Sequence, residues 1–119
     1  MIVTLPYPPS ANRYLRHTAR GTYRTAEATH YRANAARLAI VAGFLPVSGP
    51  VSVAVSLHPR KTAKGNPSAV VLDLDNCLKV ALDALQGVAY QNDKQVKAIA
   101  LRYGEPVADG GLTLEVTRL

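Results

Sequence analysis

Residues 50–58 read Pro-Val-Ser-Val-Ala-Val-Ser-Leu-His, and their alternation decides the fold class. Val51, Val53, Val55 and Leu57 fall on one side of an extended chain, and Ser52, Ala54, Ser56 and His58 on the other. Such a segment is a strand with one buried face. Downstream, Asp73 starts a helix that reaches about Gln86. Its residues Leu74, Leu78, Ala81, Leu82 and Leu85 recur at the three-and-four spacing of an inward stripe. Cys77 lies on that apolar flank and reads as core rather than as a reactive thiol.

Upstream, Thr25 caps a helix that runs to about Ala42 and stops at Gly43, with Glu27 in its first turn. Ala28, Tyr31, Ala35, Leu38 and Ala42 form its expected buried stripe. Residues 2–5 make a short strand stopped by Pro6, Pro8 and Pro9, and residues 10–24 read as a polar, basic loop. A second loop covers about 58–69. After the Asp73 helix, a turn at 87–94 leads to a strand over 95–103, with Ile99, Leu101 and Tyr103 on one face. Asp109, Gly110 and Gly111 predict a hairpin turn into a last strand carrying Leu112, Leu114 and Val116 inward. The order is β-α-β-α-β-β: an α+β class, two helices packed on a small mixed sheet, in one domain over residues 1–119.

Charge is distributed unevenly along this order. Fourteen Lys and Arg against eight Asp and Glu give a net charge of +6. Residues 1–64 contain nine basic residues and one acid, Glu27, whereas Asp73, Asp75, Asp83 and Asp93 fall within 21 residues. A basic chain with its carboxylates gathered in one place suggests a polyanion-binding surface around an acidic spot. At 48% hydrophobic the chain is not disordered. Its longest apolar stretch, Leu38 to Leu45, is too short for a bilayer, and MIVTLPYPPS lacks a signal peptide's basic and apolar regions. The single cysteine permits neither an internal disulfide nor a thiolate zinc cluster. No membrane association and a cytoplasmic setting are expected.

The acidic cluster has a plain structural reading: Asp73 as an N-cap, Asp75 complementing the helix dipole, Asn92-Asp93 as turn residues. Lys79 lies four residues after Asp75 and four before Asp83, so an i,i+4 ion pair is the ordinary expectation. The chemical reading groups the same residues otherwise. Asp73, Asp75 and Asp93 offer hard oxygen ligands suited to Mg²⁺, with Mn²⁺ as an alternative, and Lys79 can hold a phosphate oxygen or offset transition-state charge. In a chain of +6, grouped carboxylates make most sense when a divalent ion neutralises them and a bound phosphate meets the surrounding Arg and Lys. No Gly-rich phosphate loop is present, so a nucleotide cofactor is not expected, and His17, His30 and His58 lack zinc-ligand spacing.

The run D-L-D-N-x-x-K-x-x-x-D-A-L at 73–85, then N-D-x-Q-V at 92–96, resembles RusA-type Holliday junction resolvases. LPYPPSANRYLRH at 5–17 is similar to that family's N-terminal P-P-S-x-N-R-Y segment, and a T-A-E helix start follows at 25–27. The resemblance implies a homodimeric, magnesium-dependent endonuclease that binds four-way DNA junctions and cuts two opposing strands by paired nicks. It implies Asp73, Asp75 and Asp93 as catalytic metal ligands and Lys79 as their essential basic partner. Asp83 matches a family Asp and is expected to orient Lys79 rather than to hold metal. Asn12, Arg13, Arg16, Arg60, Lys61 and Lys64 are expected to contact DNA. Two positions depart from the pattern: Asn92 stands where the family often has Asp, and Val70-Val71-Leu72 stand where arginines are common. A bacterial, phage or prophage source is typical of the family. The competing expectation is a non-catalytic DNA-binding protein that uses the same basic surface.

Overall fold

Strand β4 (Val51–His58) is the centre of the architecture, because its alternating face needs cover along its whole length. In the computed structural model, which describes residues 1–119 apart from the side chains of Ala11 and Asn12, β4 lies inside a four-stranded mixed sheet. The contact expected of Asn12 falls outside the described residues. The sheet order is β1-β6-β4-β5, with β1 at Ile2–Leu5, β5 at Val96–Tyr103 and β6 at Gly111–Arg118. β4 runs antiparallel to β6 and parallel to β5, and β1 runs antiparallel to β6.

Val51, Val53, Val55 and Leu57 are buried, as expected, beside Leu112, Leu114 and Val116 of β6 and Val3 and Leu5 of β1. Helices α2 (Ala26–Val41) and α3 (Leu74–Leu85) cover that one face. Small side chains make the close approach: Ala35 and Ala39 from α2, and Cys77, Ala81 and Ala84 from α3. The inward stripes are therefore shifted from those expected. Ala39, not Ala42, is buried on α2, and Leu74, Leu78 and Leu82 are only half-buried on α3. Thr25 caps α2, accepting from the Ala28 backbone N–H, and Gly43 takes the left-handed conformation (φ 94°) that ends it.

Two expectations fail. Residues 10–24 are not a loop: they form a helical turn, α1 (Ala11–Tyr14), and a hairpin of β2 (Leu15–Thr18) with β3 (Gly21–Arg24). Apart from half-buried Leu15 the hairpin is exposed, so it has no buried face and no alternation to betray it. Nor do Asp109 to Gly111 close a hairpin between adjacent strands. β4 lies between β5 and β6, so residues 104–110 cross over one strand. The positive φ of Gly110 (75°) is still required there, and a side chain would collide with the Tyr7 ring at 2.6 Å.

Candidate active site

Strand β4 and the following loop deliver the chain to Leu72, whose backbone is held from both sides. Its N–H donates to Tyr7 Oη at 2.9 Å, and its carbonyl accepts from Tyr103 Oη at 2.8 Å. Two phenols on different elements thus fix the point at which α3 begins, one residue before Asp73. The sequence places Tyr103 only on one face of its strand and gives Tyr7 no role, because a lone aromatic shows no sign of a backbone clamp.

Asp73 occupies the N-cap position of α3, yet its carboxylate makes no capping hydrogen bond. Asp75 follows in the first turn, and both residues are exposed. The two carboxylates are thus close in sequence at a positive helix end and not engaged in capping, which disfavours the plain structural reading of Asp73. Lys79 is exposed one turn further along and pairs with neither Asp75 nor Asp83 among the described residues.

Asp83 has other partners, which corrects the expectation that it orients Lys79. Arg24 Nε donates to Asp83 Oδ2 at 2.8 Å and Arg24 Nη2 to Oδ1 at 2.9 Å. Tyr14 Oη donates to the same carboxylate, and Arg32 Nε lies 3.8 Å from it. The planar guanidinium matches both carboxylate oxygens, a geometry Lys79 lacks. Burial pulls the Asp83 carboxyl upward, but the hydrogen bonds from Arg24 and Tyr14 and the charges of Arg24 and Arg32 more than offset it. Its native value therefore lies below the usual one. The latch fastens the β2–β3 hairpin and α1 to α3. Arg24, the last residue of the segment expected to be a polar, basic loop, is consumed by it.

A depressed carboxylate stabilises the fold above its unfolded value, near 3.8, and loses that contribution as pH falls through the lower native value. Asp83→Asn is thus expected to cost about 1–2 kcal/mol near neutrality, allowing for partial exposure of the pair. It should also flatten the acid limb of the stability curve below about pH 4. Denaturant titrations of both proteins from pH 7 to pH 2 check this.

A hollow of about 450 Å³ lies between hairpin and helix, lined by Thr22, Tyr23, Arg24, Lys79 and Asp83. Arg16 and Arg20 are exposed on the same hairpin. A second hollow, about 700 Å³, is lined by Tyr7, Pro8, Arg13, Arg60 and Leu72 among others. Arg60 stacks on the Tyr7 ring, 4.0 Å from its centroid. Lys61 and Lys64 are exposed in the adjoining loop. The structure thus gathers Arg13 and Arg60 near the start of α3, with Arg16 on the hairpin. Cys77 is buried, and burial pushes its thiol up to about 12, which removes it as a nucleophile.

Asp93 does not join Asp73 and Asp75. It opens a 3-10 turn (Asp93–Gln95) that leads into the first residue of β5, whereas Leu72 meets Tyr103 at the last. Eight strand residues, about 26 Å at about 3.3 Å each, separate those ends. Among the described residues no group of three His, Cys, Asp or Glu is placed to hold an ion. Asn92, where the family pattern often has Asp, caps this turn in a reciprocal pair with Gln95. Its amide oxygen accepts from the Lys94 N–H, and Gln95 reaches the Val47 and Gly49 carbonyls. The cap role is therefore taken by Asn92 and leaves the Asp93 carboxylate free of it.

Comparison with known proteins adds a second line. A family model described as Endodeoxyribonuclease RusA matches residues 6–117. The crossover junction endodeoxyribonuclease RusA of Escherichia coli strain K12 is 35% identical over 120 residues, covering 98% of this chain and 93% of the relative. The protein of the same name from Enterobacteria phage 82 is 35% identical over 122 residues, and that of Shigella sonnei 34% over 120, each with the same coverage. No helix among the described residues is long and apolar enough to cross a membrane.

Proposed function

The chain belongs to the RusA family of endodeoxyribonucleases, and from that premise we propose that it resolves Holliday junctions by Mg²⁺-dependent paired nicks, acting as a homodimer. The observation that carries this reading is the start of α3, where the cap carboxylate of Asp73 does no capping and stands exposed with Asp75, with Lys79 in no ion pair among the described residues. Mg²⁺ characteristically uses one or two carboxylates and completes its octahedron with water and substrate phosphate, so Asp73 and Asp75 fit it. When bound, the ion supplies Lewis acidity at the scissile phosphate and lowers the pKa of a coordinated water.

The protein's own groups do the rest. Asp73 and Asp75 hold the site at the helix end, and the Tyr7 and Tyr103 clamp on Leu72 keeps that end from shifting under load. The Lys79 ammonium offsets charge that builds on the phosphate. Arg13, Arg16, Arg60, Lys61 and Lys64 hold flanking phosphates, each contact steepening the salt dependence by about 0.9 in log–log slope on duplex DNA. A four-way junction has near-two-fold symmetry, and a C₂ dimer presents one site to each of two opposing strands.

The test is cleavage of an end-labelled four-way junction beside a linear duplex of the same sequence, with Mg²⁺ or with EDTA. Two symmetric cuts in the junction, no cuts in the duplex and none in EDTA are expected. Junction binding without cleavage under any divalent ion would mean a non-catalytic binder.

A further inference from the structure

We propose that Val70 and the hollow beside it form a subsite for an unpaired nucleobase: Val70 enters the base stack next to the cut, and the displaced base lodges in the hollow under helix α2. This inference rests on the nuclease reading above and names how that site tells a branch point from a plain duplex.

Val70 is 82% exposed, more than any other large apolar side chain among the described residues, whereas Val71 and Leu72 pack against the core. A single exposed apolar side chain is ordinary on a protein surface. Val70 is unusual in how firmly it is held and where. Its N–H donates to Ser68 Oγ at 3.1 Å, and the Ser68 N–H donates to the Arg60 carbonyl at 2.8 Å. Two residues on, Leu72 is clamped by Tyr7 and Tyr103. A β-branched side chain adds little freedom of its own, so Val70 is a stiff apolar wedge. At most about 11 Å of chain separates it from Asp73. A base step opened by Val70 therefore lies beside the phosphate that Asp73 and Asp75 serve.

The hollow of about 700 Å³ that Val70 and Leu72 help to line has the size of a small-ligand site. Helix α2 contributes Glu27, His30 and Asn34 to its lining, groups that can pair with the edge of a base. Glu27 makes no salt bridge among the described residues. Tyr31 Oη donates to the Pro6 carbonyl at 2.8 Å and ties α2 to the end of β1, which fixes the hollow's shape. Arg13 and Arg60 also line it, and Arg60 is held in place on the Tyr7 ring. Two guanidiniums there suit the phosphates on either side of an extruded nucleotide.

Extrusion costs the stacking and pairing of the displaced base, and it costs least where these are already broken. Apolar wedges are a known means of opening a base step. Valine is a short one. It suffices at a branch point, where the stack is interrupted, and not in an intact duplex.

The experiment uses four-way junctions with 2-aminopurine, which brightens on leaving the stack, at the branch point. Wild-type protein in EDTA should raise its fluorescence. Val70→Ser should bind without that rise, and because Val70 is exposed the fold should be unaffected. In Mg²⁺, Val70→Ser should cut the fully paired junction about tenfold more slowly or worse, the scale of losing one buried valine contact. It should cut a junction with a mismatch at the branch point at close to the wild-type rate, and Val70→Leu should keep the wild-type rate on both. His30→Trp, which fills the hollow, should abolish the fluorescence rise with Val70 intact.

Val70→Ser that cuts both junctions like wild type, or is slowed equally on both, overturns the wedge. A rise that survives His30→Trp overturns the hollow as the place where the base goes. Wild-type protein that never cuts overturns the nuclease reading instead, and the fluorescence in EDTA then still decides whether a base is displaced.

Discussion

Asp75→Asn is expected to lower the rate of junction cleavage at saturating Mg²⁺ by about 10³-fold or more, corresponding to about 4 kcal/mol of transition-state stabilisation. The reasoning is local. Asn keeps the size and one oxygen of Asp but removes the charge, and hard divalent ions in such sites depend on carboxylate. Asp75 lies in the first turn of α3, where losing a negative charge costs the fold only about 0.3–1 kcal/mol. Cleavage should therefore collapse with the fold intact and with junction binding in EDTA undiminished. Single-turnover cleavage, thermal unfolding and a gel-shift titration on the same preparation separate the three quantities. If Asp75 were only a helix-dipole residue, cleavage would follow the small change in stability.

Lys79→Ala is expected to cost about 10²–10³-fold in the same rate, the scale for removing one charge-stabilising donor from an active site. Its side chain is exposed and makes no ion pair with Asp75 or Asp83 among the described residues. Truncation thus removes no salt bridge from the fold, and stability should change little. Lys79→Arg should rescue only in part, because a planar fork does not replace a compact ammonium. Changes confined to the single-turnover rate at saturating protein place Lys79 at the reacting phosphate. A loss confined to the salt slope of binding would make it one more backbone contact.

Much of this was legible in the chain because the physics is local. The period-two run at 51–57 gave β4, and capping chemistry gave the starts of α2 and α3 within one residue. The β2–β3 hairpin was hidden for a physical reason: its strands, half-buried only at Leu15, bury no full face, so the sequence shows polarity without period. The crossover between β5 and β6 was hidden because strand order depends on which strand needs burial on both edges. β4 does, and it displaces β5 to the rim.

The site divides along the same line. Asp73, Asp75 and Lys79 share one helix, and helical periodicity is enough to bring them together. Asp83 shares that helix too, but its partners Arg24 and Tyr14 come from 59 and 69 residues away, and no local spacing announces them. Asp93 is the instructive case. Its sequence neighbourhood puts it near the carboxylates, whereas β5 carries it to the far end of the strand.

A two-site nuclease, as proposed, can be tested in one reaction with a supercoiled plasmid that extrudes a cruciform. Both cuts within the lifetime of one complex convert the supercoiled circle directly to the linear form. Linear product that requires Mg²⁺ is expected, with little nicked circle at any time. Nicked circle that accumulates first and linearises slowly, or a plasmid left uncut while the protein binds it, would contradict it.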